Sequence, residues 1–311
     1  KANMTHPENE KAYTRYKSML EYEGDGLLPA VTSGTNRDDT LMMTIEAFAF
    51  SYIVEGNLEH GKRAVEMCKN MLSSFYMDKS LIYHNGTNNI WIAAIVYDWC
   101  YDLLTKEDML FMRYYVEQIC QMMSSTHPYP YDVMDKGGVG PSAWTVTHPF
   151  RDDLAFAIAS YDEYPDWYNY IASLLIYEYA PFQDYYIPGE TMPSGSSYGY
   201  VRWYAFGWSK RLMEVATGYN PYKTDYSRMM LQWIYEQTPE GQYFRSGDDT
   251  IAALSATDSP VVKGSYTTAF FLAARDQENP YLKSVFKYYA QLTNPNYATY
   301  TAYFNSHTPV T

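Results

Sequence analysis

Tyr198 and Arg202, four residues apart, form the pair in this chain with the most evident chemical use. On a helix that spacing puts both on one face, where a guanidinium can stabilise a phenolate or hold an anionic substrate. The pair follows Ser194-Gly195-Ser196-Ser197, small residues whose backbone lets a ligand come close and whose hydroxyls bond locally to turns. A phenol so placed can give a proton to a leaving oxygen and, with its pKa lowered, take one. The same run, Tyr198-Gly199-Tyr200-Val201-Arg202-Trp203-Tyr204, also suits a helix that only packs an aromatic core, and local sequence leaves both readings open.

Other side chains able to do chemistry are scattered. His148 stands at the start of a helix that carries Arg151, Asp152 and Asp153, and Arg245 precedes Asp248 and Asp249. Arg151, Arg202 and Arg245 are the cations available for a local anion site. The four aspartates could supply the acid and base of a glycoside hydrolase, although exposed caps and loops explain them more simply. Trp91, Trp144, Tyr200 and Trp203 could serve a non-catalytic glycan-binding domain as stacking platforms. His148 and Asp152 share a helical face, but two mixed ligands without a third make no expected metal site. Ser196 and Ser197 lack the strand–turn–helix setting of a serine nucleophile, and no nucleotide-binding loop is present. No cofactor is expected.

The elements that must position these residues read as helices. Tyr13, Tyr16, Met19, Leu20 and Tyr22 give a first amphipathic helix from Pro7 to about Glu23, ended by Gly24-Asp25-Gly26. Asp38 or Asp39 caps a second helix running to Val54, and Asn57 caps a third whose apolar residues are Ala64, Val65, Cys68, Met71 and Leu72. After a loop from Asp78 to Asn88, the segment Asn89–Leu104 is apolar almost all round, as an inner helix requires. Thr105 and Asp108 form a capping-box-like start for the next helix, to about Ser125.

Prolines and glycines forbid a regular element across most of Thr126–Thr147. Helices are expected over His148–Tyr164, with Leu154, Ala157, Ile158 and Tyr161 as core, then from an Asp166 cap to about Ala180. A second long loop, Pro181–Ser197, leads to the Tyr198 helix, which ends near Gly218. Helices over Asp225–Gln237, Val261–Arg275 and Pro280–Leu292 follow, with a turn and short strand near Pro239–Tyr243. About eleven helices in antiparallel pairs predict an all-α fold, an incomplete α/α toroid of inner and outer helices forming a single domain over 1–311. The long loops would then gather at one end of the barrel with the Tyr198 helix.

Composition narrows the partners. The chain has 311 residues with a formal net charge of −13 and no basic run, so nucleic acid is an unexpected ligand. Tyrosine occurs 35 times, and tyrosine-lined helical proteins present wet concave surfaces on which sugars stack, although core use explains most of that count. Three cysteines, Cys68, Cys100 and Cys120, predict buried thiols and no disulfide framework. No apolar run approaches the length of a membrane span, and residues 1–10 carry no signal-peptide core.

Several of these segments resemble one family. The run Tyr97-Asp98-Trp99-Cys100-Tyr101-Asp102-x-Leu104, then Arg151-Asp152-x-Leu154 leading to Ile158-Ala159-x-Tyr161-Asp162-Glu163-x-Pro165, and Gly195-x-Ser197-Tyr198-x-x-Val201-Arg202 are similar to the N-terminal helical domain of heparinase II-type polysaccharide lyases. Pro239-x-Gly241-Gln242 with Gly247-Asp248 extends the likeness, which covers at least residues 90 to 290. The resemblance implies a toroid followed downstream by β-sandwich domains that this chain lacks. It also implies β-elimination of a uronic-acid glycan such as heparin or heparan sulfate, and a periplasmic or secreted setting.

Such a reaction needs the uronate carboxylate neutralised, the C5 proton removed and the leaving O4 protonated. The family's catalytic tyrosine falls on Tyr198. Its catalytic histidine, in a Gly-His-x-x-Glu stretch, has no counterpart, because the chain reads Gly140-Pro141-Ser142-Ala143-Trp144-Thr145-Val146 there. His148 is the nearest histidine downstream and completes the candidate catalytic pair. Candidate substrate-binding residues are Arg202, Arg151, Tyr204, Trp144, Asn88 and Arg245.

Overall fold

The computed structural model describes Met4 and residues 10–30, 38–76, 87–122, 148–186, 195–223, 235, 280–282 and 284. Among the described residues every regular element is helical. The chain divides into two compact units, one of Lys1–Gly140 with His148–Ala172, the other of Pro141–Thr147 with Ser173–Thr311.

The first unit opens with α1 (Glu10–Met19), followed by α2 (Asp39–Phe50), α3 (Leu58–Ser74), α4 (Thr87–Trp99), α5 (Lys106–Met122) and α6 (His148–Ala159). Their boundaries follow local chemistry. The Asp38 side chain accepts from the Leu41 N–H at 2.9 Å and that of Asn57 from the His60 N–H at 3.1 Å, each satisfying a donor of the open first turn. At α5, Thr105 and Asp108 exchange bonds as a capping box, with Thr105 N–H to Oδ2 and Asp108 N–H to Oγ1 both at 3.1 Å. A π-helical turn, Ser51–Glu55, continues α2, and Gly56 closes it at φ 78°, a left-handed conformation that glycine adopts without strain.

Helices α2, α4 and α6 run in the same direction. Phe50 meets Trp99 at the C-terminal ends of α2 and α4, with ring centroids 6.0 Å apart. Between α4 and α6, Arg151 lies over Trp91 near the two N-termini while Tyr97 meets Phe156 near the C-termini. Parallel neighbours need a return crossing, which α3 and α5 supply. The burial pattern separates the two roles: Asn89, Ile90 and every residue from Ile92 to Tyr97 are buried in α4, whereas α3 buries only the face of Gly61, Ala64, Val65, Met67, Cys68, Met71 and Leu72. The N-termini of α4 and α6 therefore lie at one end of this unit.

The helix that joins the two units is α7 (Pro165–Leu174), and a π-helical turn, Leu175–Tyr179, leads into α8 (Ala180–Tyr186). The second unit also holds α9 (Gly195–Thr217), whose Phe206, Ser209 and Met213 are buried at helical spacing. Phe206 packs edge-on against Tyr222 at 6.0 Å. Asp184 clasps the next residue, both carboxylate oxygens accepting from the Lys223 N–H at 3.0 and 3.1 Å. Gly218, at φ 74°, ends α9 and donates to the Glu214 carbonyl at 2.9 Å.

Several boundaries depart from the sequence expectation. Helix α4 begins at Thr87, so Asn88 belongs to its first turn and not to the loop, and it ends at Trp99 before a 3-10 turn, Tyr101–Leu103. Helix α6 stops at Ala159, which leaves Tyr161 exposed and moves the core to Leu154–Ala157. Pro165 does not merely break a helix; it begins one, as a residue whose missing N–H has no partner in a first turn. The expected loop from Pro181 to Ser197 is helical at both ends, in α8 and in the first turn of α9. The expected strand near Pro239–Tyr243 and the helix over Val261–Arg275 lie outside the described residues. Cys68, Cys100 and Cys120 are buried free thiols, and burial pushes the Cys100 thiol up to about 12.

Candidate functional site

The site in the first unit is built where α4 and α6 begin. Arg151, Asp152 and Asp153 follow one another on α6, and all three are buried. The Arg151 guanidinium pairs with the Asp152 carboxylate and lies 4.5 Å from the centroid of the Trp91 ring on α4. Asp153 accepts from the Trp167 indole N–H at 2.7 Å, which ties α6 to α7, and Phe156 packs on the same indole at 5.4 Å. A buried carboxylate and guanidinium survive only when paired and hydrogen-bonded, and each of these three charges has such a partner. The Cys120 thiol on α5 sits among them, raised well above its ordinary value by burial and by the neighbouring carboxylates.

This arrangement corrects one expectation. Asp152 and Asp153 are not exposed caps, and their carboxylates are engaged inside the core by Arg151 and Trp167. They are poorly placed to act as a hydrolase acid–base pair, because each is committed to a buried partner. Arg151 is 3% exposed, so its charge acts through Trp91 and Asp152 instead of meeting solvent. Asn88 stands half-buried in the first turn of α4, three residues before the half-buried Trp91.

His148 is the first residue of α6, in the first unit. Tyr198, Arg202 and Tyr204 lie on α9 in the second unit, at its fourth, eighth and tenth positions, with Tyr198 and Arg202 one helical turn apart as expected. Trp144 and Arg245, with Asp248 and Asp249, lie outside the described residues. The Arg151–Trp91 stack joins residues far apart in the chain, so no local pattern announces it. Its only sequence sign is an Arg-Asp-Asp run inside an apolar helix, where charges need partners.

A second polar cluster closes the other end of α2. Ser51 Oγ donates to Glu55 Oε2 at 2.7 Å and lies 2.8 Å from His60 Nδ1, while Lys17 of α1 reaches Glu55 Oε1 at 3.2 Å. Burial acts to raise the Glu55 pKa, but the bonds from Ser51 and Lys17 outweigh it and hold it below the ordinary value. An ionised Glu55 can only accept, so Ser51 spends its proton there and His60 must carry its own proton on Nδ1 to donate to Ser51. Burial lowers the His60 pKa, Glu55 opposes that shift, and Lys17 and Arg63 add to it.

The fold therefore favours neutral His60. Its stabilising contribution is complete above the unfolded value of about 6.5 and is lost as pH falls below it. Glu55 adds a loss in the same direction at lower pH, below its own unfolded value. Urea midpoints measured from pH 7 to 5 are expected to fall for the wild type and to fall less steeply for His60→Gln. Equal slopes would show that His60 is not the group responsible.

A third group, at the C-terminal end of α4, joins Tyr97 and Tyr101 to one carboxylate. Both hydroxyls donate to Glu163, at 3.0 and 2.5 Å, which fastens α4 to the turn after α6. Burial and the Glu163 carboxylate both raise the Tyr97 pKa, so this phenol is held protonated and acts as a strut.

Among the described residues no helix is long and apolar enough to cross a membrane. Comparison with known protein families and with curated proteins gives no match to this chain.

Proposed function

We propose that the chain is the helical domain of a polysaccharide lyase that cleaves a uronic-acid-containing glycan by β-elimination, on an incomplete α/α toroid. The observation that carries the reading is the Tyr198–Arg202 pair in the opening turns of α9, within a segment that resembles the lyase tyrosine segment. Parallel α2, α4 and α6 with returning α3 and α5 support the toroid, since such barrels alternate inner and outer helices.

In this reading Tyr198 protonates the leaving O4 and, for some uronate epimers, also takes the C5 proton, while His148 is the second acid–base group. Arg202 holds the phenolate or the substrate carboxylate. Acid–base groups of this kind contribute about 10²–10⁴-fold each. Tyr204, Trp144, Asn88 and Arg245 bind the glycan, and Arg151 acts from beneath Trp91. A β-sandwich domain of the full-length protein would complete the cleft, in a periplasmic or secreted setting.

The test is to incubate the protein, with any downstream region attached, with heparin, heparan sulfate, hyaluronan, chondroitin sulfate and alginate. A lyase yields an unsaturated uronate that absorbs in the ultraviolet. Absence of that product across the panel sinks the reading, and new reducing ends without ultraviolet gain would indicate hydrolysis instead.

A further inference from the structure

Helix α4 is buried on all sides from Asn89 to Tyr97 except at Trp91, and Asn88, near its start, is also half-buried. The two are three residues apart and so share a face at the end of the unit where α4 and α6 begin. Beneath the indole lies Arg151, 4.5 Å from the ring centroid and 3% exposed, pinned in turn by Asp152. An apolar side chain would support a rim tryptophan with less desolvation cost than a buried ion pair. What the pair adds is orientation: a planar guanidinium fixed by a carboxylate sets the tilt of the ring laid on it.

We propose that Trp91 is a stacking platform for one pyranose ring of the glycan, and that the Asn88 amide hydrogen-bonds the substituents of that ring. The inference rests on the proposed function for the identity of the ligand, and it adds a binding subsite outside the acid–base pair. A sugar presents a face of C–H groups to the negative face of an indole, and that contact needs no net charge on either side. This matters in a chain of formal net charge −13, which repels a polyanion at long range. A ring held rigidly before the ligand arrives also loses little entropy on binding.

The experiment measures, by calorimetry, the binding of heparin-derived and alginate-derived hexasaccharides to the wild type, Trp91→Ala, Trp91→Phe and Asn88→Ala. KM and kcat for ultraviolet product are measured in parallel. Trp91→Ala is expected to weaken binding about tenfold or more, as loss of a buried aromatic anchor does, at low and at moderate salt alike. KM should rise with kcat little changed. Trp91→Phe should retain most of the affinity, and Asn88→Ala should lose severalfold.

Unchanged binding in Trp91→Ala overturns the platform. If that variant fails to fold, unchanged binding in Asn88→Ala overturns it instead. A wild type that binds the hexasaccharides through Trp91 without forming product leaves the platform standing and removes the lyase reading. A wild type that forms product with KM unaffected by either variant does the reverse, and a wild type that binds neither probe overturns the platform.

Discussion

Replacing Asp152 with alanine is expected to destabilise the first unit by about 3–5 kcal/mol, the usual cost of removing one partner from a buried ion pair. Arg151 cannot escape to water, because its side chain is 3% exposed and covered by Trp91. Exposed pairs such as Lys62–Glu59 are worth at most about 1 kcal/mol, so the contrast between the two kinds of pair is large. Removing both charges in Arg151→Met/Asp152→Leu should cost less than Asp152→Ala alone, since no orphaned charge remains. Urea denaturation of Asp152→Ala, of Arg151→Met and of the double variant checks this. A loss below about 1 kcal/mol for Asp152→Ala, or additive losses in the double variant, would mean that the guanidinium finds another buried partner.

The sequence announces this pair poorly, for a physical reason. Arg151, Asp152 and Asp153 look like solvated first-turn charges because helix starts favour acidic residues. What buries them is the parallel contact of α6 with α4, a long-range event that local patterning does not report. Features set within one turn were legible: the Asp38 and Asn57 caps and the Thr105–Asp108 box stand where expected. So was the inner character of α4, since an apolar circumference needs no partner to be recognised.

Pro181 misled for the opposite reason. A proline normally stops a helix, yet here the wider π-helical turn Leu175–Tyr179 comes just before it, Ala180 keeps helical dihedrals and donates to the Leu175 carbonyl, and the chain continues helical through Pro181 to Tyr186. The small residues Gly195-Ser196-Ser197 read as loop in the sequence because they resist helix interiors. At a helix start the same residues are well suited, and there they form the first turn of α9. Tyr198 thus sits about one turn inside the helix, at its fourth position, whereas a helix starting at Tyr198 would have put it at the N-terminus.

That position shapes the second large prediction. Tyr198→Phe keeps the ring and removes one oxygen, so the helix and its packing should persist while the proton donor is lost. On the lyase reading kcat falls about 10²–10⁴-fold, equivalent to about 3–5 kcal/mol of transition-state stabilisation, with KM nearly unchanged. An unperturbed phenol titrates near pH 10, too high for a base at neutral pH, so a rising limb well below that value that comes from Tyr198 and not from His148 requires a positive charge near the phenol. Arg202, one turn along α9, is the candidate for that charge. Arg202→Met should therefore move the alkaline-rising limb of the kcat profile to higher pH, whereas a guanidinium that only grips the substrate would raise KM and leave the limb in place. Tyr198→Phe with wild-type kcat on a substrate that gives ultraviolet product would remove this phenol from the reaction and leave His148 as the remaining acid–base candidate. A midpoint of urea unfolding matching the wild type is needed to assign the loss to chemistry, because a core role for the hydroxyl would lower stability and turnover together.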